Sequence, residues 1–171
     1  VGFGEATVRD LIRASGLSTG TFYNYFPDKQ AVLRALVEDS VTELRALLHE
    51  SRDSAANADE FVRGGFRVFF DYLADDPTIF ALLSRNADAV RQVLDDPILG
   101  VAVDELSDDL QAAVERGDLP GFDARLMGAA MTGAALELGV AMIERGAATP
   151  QEAADFASRL FLSGIPGFAQ T

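Results

Sequence analysis

The chain has 171 residues, of which 49% are hydrophobic, and it has no cysteine. This composition is typical of a globular protein with a buried core, and the lack of cysteine excludes disulfides, zinc–thiolate sites and cysteine catalysis. The formal net charge of −13 argues against a nucleic-acid partner at first sight, but residues 1–37 carry four basic and three acidic side chains, so the excess of acid lies entirely beyond them.

Neither a membrane span nor a signal peptide is expected. No apolar run approaches the ~20 residues that a membrane-spanning helix needs. No basic segment followed by an apolar one opens the chain. A reducing cytoplasm is the natural setting for a chain without cysteine.

Helical periodicity runs through the chain and alternating strand patterns are nearly absent, which predicts an all-α fold. The clearest helix start is Thr149-Pro150-Gln151-Glu152, where a capping box is combined with proline at the first helical position. Other caps and breaks give the remaining boundaries. The predicted helices cover residues 8–14, 18–25, 29–52, 58–74, 78–86, 97–116, 124–146 and 150–163, with a turn or short helix at 87–94 and a tail at 164–171.

The first two predicted helices have the pattern of a helix-turn-helix. Two short helices are joined by a turn at residues 15–17, where Gly16 can adopt the positive φ that such a turn needs. The apolar positions of this segment are spaced to point inward, which leaves hydroxyls, an amide and phenols outside. Such groups suit phosphate oxygens and base edges.

These residues resemble a known family. The segments TVRDLI at residues 7–12 and ASGLSTGTFYNYFPDK at residues 14–29 closely resemble the signature of the TetR family of transcriptional regulators. The GTFYNYF core at residues 20–26, followed by a lysine that opens the next helix, is highly specific. The resemblance covers roughly residues 2–36; beyond them only the pattern of helices agrees.

The resemblance implies an N-terminal three-helix DNA-binding head, residues 1–36, joined by a long helix to a larger helical domain for ligand binding and dimerisation, residues 37–171. It implies that Arg9 contacts a base or phosphate and that Lys29 grips a phosphate. The full set of implied DNA contacts is Thr7, Arg9, Ser18, Thr19, Gly20, Thr21, Tyr23, Asn24, Tyr25 and Lys29. For the two tyrosines, packing is the alternative role, and for Lys29 it is a plain surface role.

Two departures from the family pattern weaken the expected DNA binding. Family members often have a basic residue where Thr19 stands, so the attraction to phosphate is expected to be smaller here. The family also has a helix before the motif, and residues 1–4 would be its last turn. Because that helix supports the other two, we expect the present chain alone to bind DNA poorly.

Aromatic side chains are concentrated in the predicted helices at 58–74 and 78–86, and they can line an apolar cavity or form an ordinary core. The resemblance implies a small-molecule inducer in such a cavity, whose binding moves the long helix and respaces two DNA heads. We expect an apolar or amphipathic effector, and Arg63, Arg67, Arg85 and Asn86 are candidates for binding an anionic head group. The predicted ligand-binding residues are Phe66, Phe69, Phe70, Tyr72, Phe80, Met127 and Met131.

The predicted helix at 124–146 is apolar nearly all round and rich in small residues, so we expect it to be buried on both faces. One face would meet its own domain and the other a partner, and the last helix has a matching stripe. Together they predict a four-helix, two-fold dimer interface; a central helix in a monomer is the alternative. The predicted interface residues are Leu126, Ala130, Gly133, Ala134, Phe156, Ala157 and Leu160.

Enzymatic and cofactor motifs are not found in the sequence. The single histidine, His49, stands near a helix end without the Glu-x-x-His spacing of a di-metal bundle, and no nucleophile elbow or phosphate-binding loop occurs. We therefore expect no enzyme, no cofactor and no metal. The expected function is a cytoplasmic, homodimeric repressor that a ligand releases from palindromic operator DNA; the alternative is a helical ligand-binding or protein-interaction module without DNA binding.

Overall fold

The computed structural model describes residues 4–86 and 97–170, with the backbone alone at 97–103 and 168–170. Within these ranges the fold is all-α and no strand occurs, which confirms the predicted fold class. The predicted turn at 87–94 lies outside the described residues. The helices are α1 (Val8–Ser15), α2 (Thr19–Tyr25), α3 (Lys29–Ser54), α4 (Ala58–Asp75), α5 (Pro77–Arg85), α6 (Pro97–Glu115), α7 (Ala124–Arg145) and α8 (Pro150–Gly164).

Short polar side chains begin most of these helices. Each accepts a hydrogen bond from a backbone N–H of the first turn, which has no partner within the helix. The capping box predicted at Thr149 is present, and the hydrogen bonds from the Thr149 backbone N–H and hydroxyl lower the pKa of Glu152. The other capping residues are Thr7, Ser18, Asp28, Asn57, Asp76 and Asp123.

The predicted tail at 164–171 is wrong for most of its length. Ile165–Gln170 forms a 3₁₀ helix, and Ile165 is buried in the core. The apolar side chain of Ile165 explains the difference, because burying it removes apolar surface from water and holds the backbone that follows. The other predicted helix ends are shifted by one or two residues, as fraying ends commonly are.

The main core forms around α4, which packs against α3, α5, α7 and α8. Phe70 is fully buried, and Phe66 stacks on Phe161 of α8 with ring centroids 5.6 Å apart. Phe22 of α2 and Leu33 and Val37 of α3 are also buried, outside this main core. The long helix α3 therefore contributes buried side chains at the head and packs against α4 and α6 farther along.

Two glycines of α7 lie where neighbouring helices leave no space for a side chain. A Cβ added to Gly128 would lie 2.7 Å from Oγ of Ser107 in α6. One added to Gly139 would lie 2.6 Å from Cδ1 of Leu73 and 3.1 Å from Cζ of Phe80. Neighbouring helices therefore approach α7 closely at these two positions.

Among the described residues, α7 is long and apolar enough, by length and composition alone, to cross a membrane. The sequence-based statement that no run is long enough was therefore wrong, because the glycines, Thr132 and the single charge of Glu137 leave the run apolar on average. The core helix of a soluble protein passes the same test, and α7 packs against α4, α5, α6 and α8.

Replacing the cap of α8 should lower stability. Thr149→Ala removes the hydroxyl that accepts from the Glu152 N–H, and we expect the free energy of unfolding to fall by about 1 kcal/mol. Urea unfolding followed by circular dichroism measures it. Thr42→Ala, at an exposed position inside α3, is the matched control and should not destabilise, because alanine favours a helix interior. Equal losses in both variants would contradict the role of the cap.

Candidate functional site

The turn between α1 and α2 has the geometry of a helix-turn-helix. Helix α1 ends at Ser15, and the residue that caps it, Gly16, has φ 69° and ψ 7°. This left-handed conformation is strained for residues with a Cβ, so glycine is needed at this position. Ser18 then caps α2 by accepting from the Thr21 N–H at 3.1 Å.

Helix α2 is anchored by one side chain and exposed along the rest. Phe22 is buried, and its ring centroid lies 5.7 Å from that of Phe26. Tyr23 is 52% exposed and Tyr25 73% exposed. Thr19, Gly20 and Asn24 are also exposed. A helix with this much free polar surface can enter a DNA groove without unpacking the protein.

Three of the predicted DNA contacts take part in hydrogen bonds at the helix caps. The hydroxyls of Ser18 and Thr21 are 2.8 Å apart. Thr7 donates its hydroxyl to Oδ2 of Asp10 at 2.6 Å, and its backbone N–H donates to the same oxygen. These bonds lower the pKa of Asp10, the side-chain bond most of all.

Lys29 has a structural contact that the sequence did not predict. Its Nζ donates to the carbonyl oxygens of Gly4 at 3.0 Å and Ala6 at 3.3 Å. The ammonium therefore ties the first turn of α3 to the segment before α1. Arg9, by contrast, is exposed on α1.

An apolar cavity of about 160 Å³ lies among α3, α4, α6 and α7. Phe66, Phe69 and Met131 line it, as the sequence predicted. The other predicted residues lie elsewhere: Phe70, Phe80 and Met127 are buried in the core, and Tyr72 donates its hydroxyl to the Ser40 carbonyl oxygen at 3.2 Å. The full lining is Leu44, Leu48, Arg52, Phe61, Val62, Gly65, Phe66, Phe69, Leu106, Met131, Thr132 and Ala135.

A polar cleft of about 480 Å³ lies next to this cavity, between the ends of α3 and α6 and the start of α4. Arg52 and Phe61 line both spaces. Nε of Arg52 lies 2.8 Å from Oδ2 of Asp109, and Glu105 accepts from Arg45. The bond from Arg45 lowers the pKa of Glu105, whereas burial raises the pKa of Asp109.

The arginines expected to hold an anionic group lie elsewhere. Arg63, Arg67 and Arg85 are exposed and form ion pairs with Asp59, Asp71 and Glu144, respectively. None of them lines the apolar cavity. Arg52, which the sequence analysis did not select, is the arginine that borders it.

An exposed apolar surface runs along α7 and α8. Leu126 is 71% exposed, Phe156 52% and Leu160 53%. Ala130 and Gly133 are exposed beside them, and Ala134 is half-buried. Ala157 does not belong with this set, because it is fully buried in the core of its own protomer and has no surface left for a partner.

Residues 1–36 match the model for bacterial regulatory proteins of the tetR family. A TetR-family transcriptional regulator from Syntrophomonas wolfei superposes with a TM-score of 0.85 at 20% identity, over 96% of this chain and 86% of that one.

Two further solved structures have the same fold. The fatty acid degradation regulator FadR from Bacillus halodurans has a TM-score of 0.81 at 20% identity, over 95% of this chain and 90% of that one. The ketosteroid transcriptional regulator KstR2 of Mycobacterium tuberculosis has a TM-score of 0.73 at 20% identity, over 95% of this chain and 86% of that one.

At these identities the likeness to solved structures shows a common fold, while the family model covers the whole helix-turn-helix. Residues 1–36, with α2 exposed as that motif requires, therefore match the DNA-binding segment of the tetR family of bacterial regulatory proteins, and the chain shares its fold with solved regulators of that family.

Proposed function

We propose that this protein is a cytoplasmic repressor that binds palindromic operator DNA as a homodimer and is released by a small apolar ligand. The main support for this proposal is the exposed face of α2. This helix belongs to a helix-turn-helix that the family model matches. Thr19, Tyr23 and Asn24 would face base edges, with Thr7, Arg9 and Tyr25 at phosphates.

The dimer accounts for the apolar surface of α7 and α8. Leu126, Phe156 and Leu160 expose apolar area that a second copy would cover. A two-fold axis through this surface presents two copies of α2 to half-sites about one DNA turn, ~34 Å, or a multiple of it apart. The interface we propose is the predicted set without Ala157.

The apolar cavity is the proposed effector site. Leu44 and Leu48 of α3 form one of its walls, so a molecule that fills the cavity presses on the helix that carries the head. FadR and KstR2 are named for the regulation of fatty acid degradation and for ketosteroids, and both kinds of compound have a large apolar part. An apolar effector for this chain agrees with that precedent.

A lysine at position 19 should strengthen DNA binding. Thr19 is exposed at the first position of α2, and Thr19→Lys adds one cation where phosphates are expected. The slope of log affinity against log salt for the full-length protein on its own upstream DNA should steepen by about one. Fluorescence anisotropy titrations at several salt concentrations measure this slope.

The control for this experiment is Ser54→Lys, which adds the same charge at the exposed last residue of α3, at the opposite end of that helix from Lys29. It should leave the salt slope nearly unchanged, because a helix of this length places it about 39 Å from the head. If both variants steepen the slope equally, the contact is not at α2. If the wild-type protein does not bind at low salt, the repressor proposal fails and the module without DNA binding is favoured.

A charge in the α7–α8 surface should separate the dimer. Leu160→Glu would bury a carboxylate in the proposed interface, which is costly without a partner, so we expect a monomer by light scattering during size-exclusion chromatography. Leu47→Glu, at an exposed leucine of α3, is the matched control and should leave a dimer. A wild-type monomer, or a dimer that survives Leu160→Glu, would contradict this interface.

A further inference from the structure

The chemistry of the effector can be narrowed from the surroundings of Arg52. This side chain is 10% exposed and lies where the apolar cavity meets the polar cleft. Apart from Arg52 and Thr132, the described lining of the apolar cavity consists of apolar side chains and glycine. Arg52 and Thr132 are therefore the two side chains of the lining that can hydrogen-bond to a ligand, and Arg52 is the charged one.

The Arg52 guanidinium has N–H groups that can donate hydrogen bonds to a ligand. Arginine has five N–H donors in a planar fork. The described carboxylate contacts of Arg52 are Nε to Asp109 at 2.8 Å and Nη2 to Glu105 at 3.6 Å, and the second is too long for a hydrogen bond. Glu105 is also bonded to Arg45. An acceptor oxygen at the end of the cavity can therefore bond to Arg52 without displacing Asp109.

The charges around the cleft disfavour an anionic ligand. The cleft is lined by two arginines, Arg52 and Arg116, and by the single histidine, His49. Nδ1 of His49 lies 3.1 Å from Oδ2 of Asp53. The carboxylates outnumber these basic side chains, and the protein as a whole carries −13. A carboxylate ligand would meet a negative potential. The acidic lining residues are Asp53, Glu105, Asp108, Asp109 and Asp118.

A cationic ligand is disfavoured for a different reason. In the apolar cavity its charge would lose hydration and lie close to the positive guanidinium of Arg52. Burying an unpaired charge costs far more than burying an uncharged polar group. The acidic side chains that could compensate it line the neighbouring cleft and not the apolar cavity.

The volume limits the apolar part of the ligand. About 160 Å³ is close to the ~150 Å³ of an engineered apolar cavity that binds benzene. We propose that the effector is an uncharged, compact molecule with one acceptor oxygen, whose ring-sized apolar body fills the cavity while the oxygen accepts from Arg52. This inference rests on the proposed effector cavity.

Four probes with one benzene ring each test it: acetophenone, ethylbenzene, benzoate and benzylammonium. They are titrated into the full-length protein at pH 7 by calorimetry. Acetophenone should bind about tenfold more tightly than ethylbenzene, because it adds a hydrogen bond to a charged donor. Benzoate and benzylammonium should bind more weakly than acetophenone.

The outcomes separate the inference from the proposed function. If ethylbenzene, benzoate or benzylammonium binds as tightly as acetophenone, the inference is wrong while the effector cavity stands. If none of the four probes binds, the cavity is not an effector site and both fail.

Variants of Arg52 test whether this side chain donates the hydrogen bond to the oxygen of the ligand. Arg52→Met should remove the preference for acetophenone over ethylbenzene, and Arg67→Met, at an exposed arginine paired with Asp71, should keep it. Because Arg52→Met leaves Asp109 without its partner, the double variant Arg52→Met/Asp109→Asn repeats the test with that carboxylate neutralised. A preference that survives in both Arg52 variants would contradict the contact.

Discussion

The structure depends on the packing of one continuous helix, α3, against two groups of neighbours. At its beginning, Lys29 bonds to backbone carbonyls before α1, and Leu33 and Val37 are buried in the head. Farther along, Leu44 and Leu48 line the apolar cavity. A helix of 26 residues is about 39 Å long. A shift at the cavity wall therefore reaches the head, which is how we propose that an effector alters DNA binding.

Ion pairs join α3 to α6 beside the apolar cavity. Arg45 and Arg52 lie on one face of α3, and Glu105 and Asp109 lie one turn apart on α6. The pairs lie beside the proposed effector contact at Arg52, so the same side chain would hold the ligand and join the two helices.

Most of the acidic residues of this chain lie beyond residue 37, where they do not face DNA in the proposed arrangement.

Helix positions could be predicted from the sequence because capping interactions are local. Thr149 and Glu152, for example, are close in the chain and form hydrogen bonds with each other. The exposure of α2 could be predicted because it depends on a local feature, the turn at Gly16 that separates α2 from α1. The role of Arg52 could not, because its burial depends on α6, whose Glu105 and Asp109 are distant in sequence. Which aromatic side chains line the cavity could not be predicted either. Phe66 and Phe70 share a helix face and both belong to the core, but tertiary packing places only Phe66 at the cavity wall.

The central claim is that two copies of α2 read DNA together. Hydroxyl-radical footprinting of the full-length protein on its own upstream region tests it most directly. We expect two protected patches on one face of the duplex, related by two-fold symmetry and spaced by about one helical turn or a multiple of it. A single patch, or uniform cutting at low salt where phosphate contacts are strongest, would contradict the account.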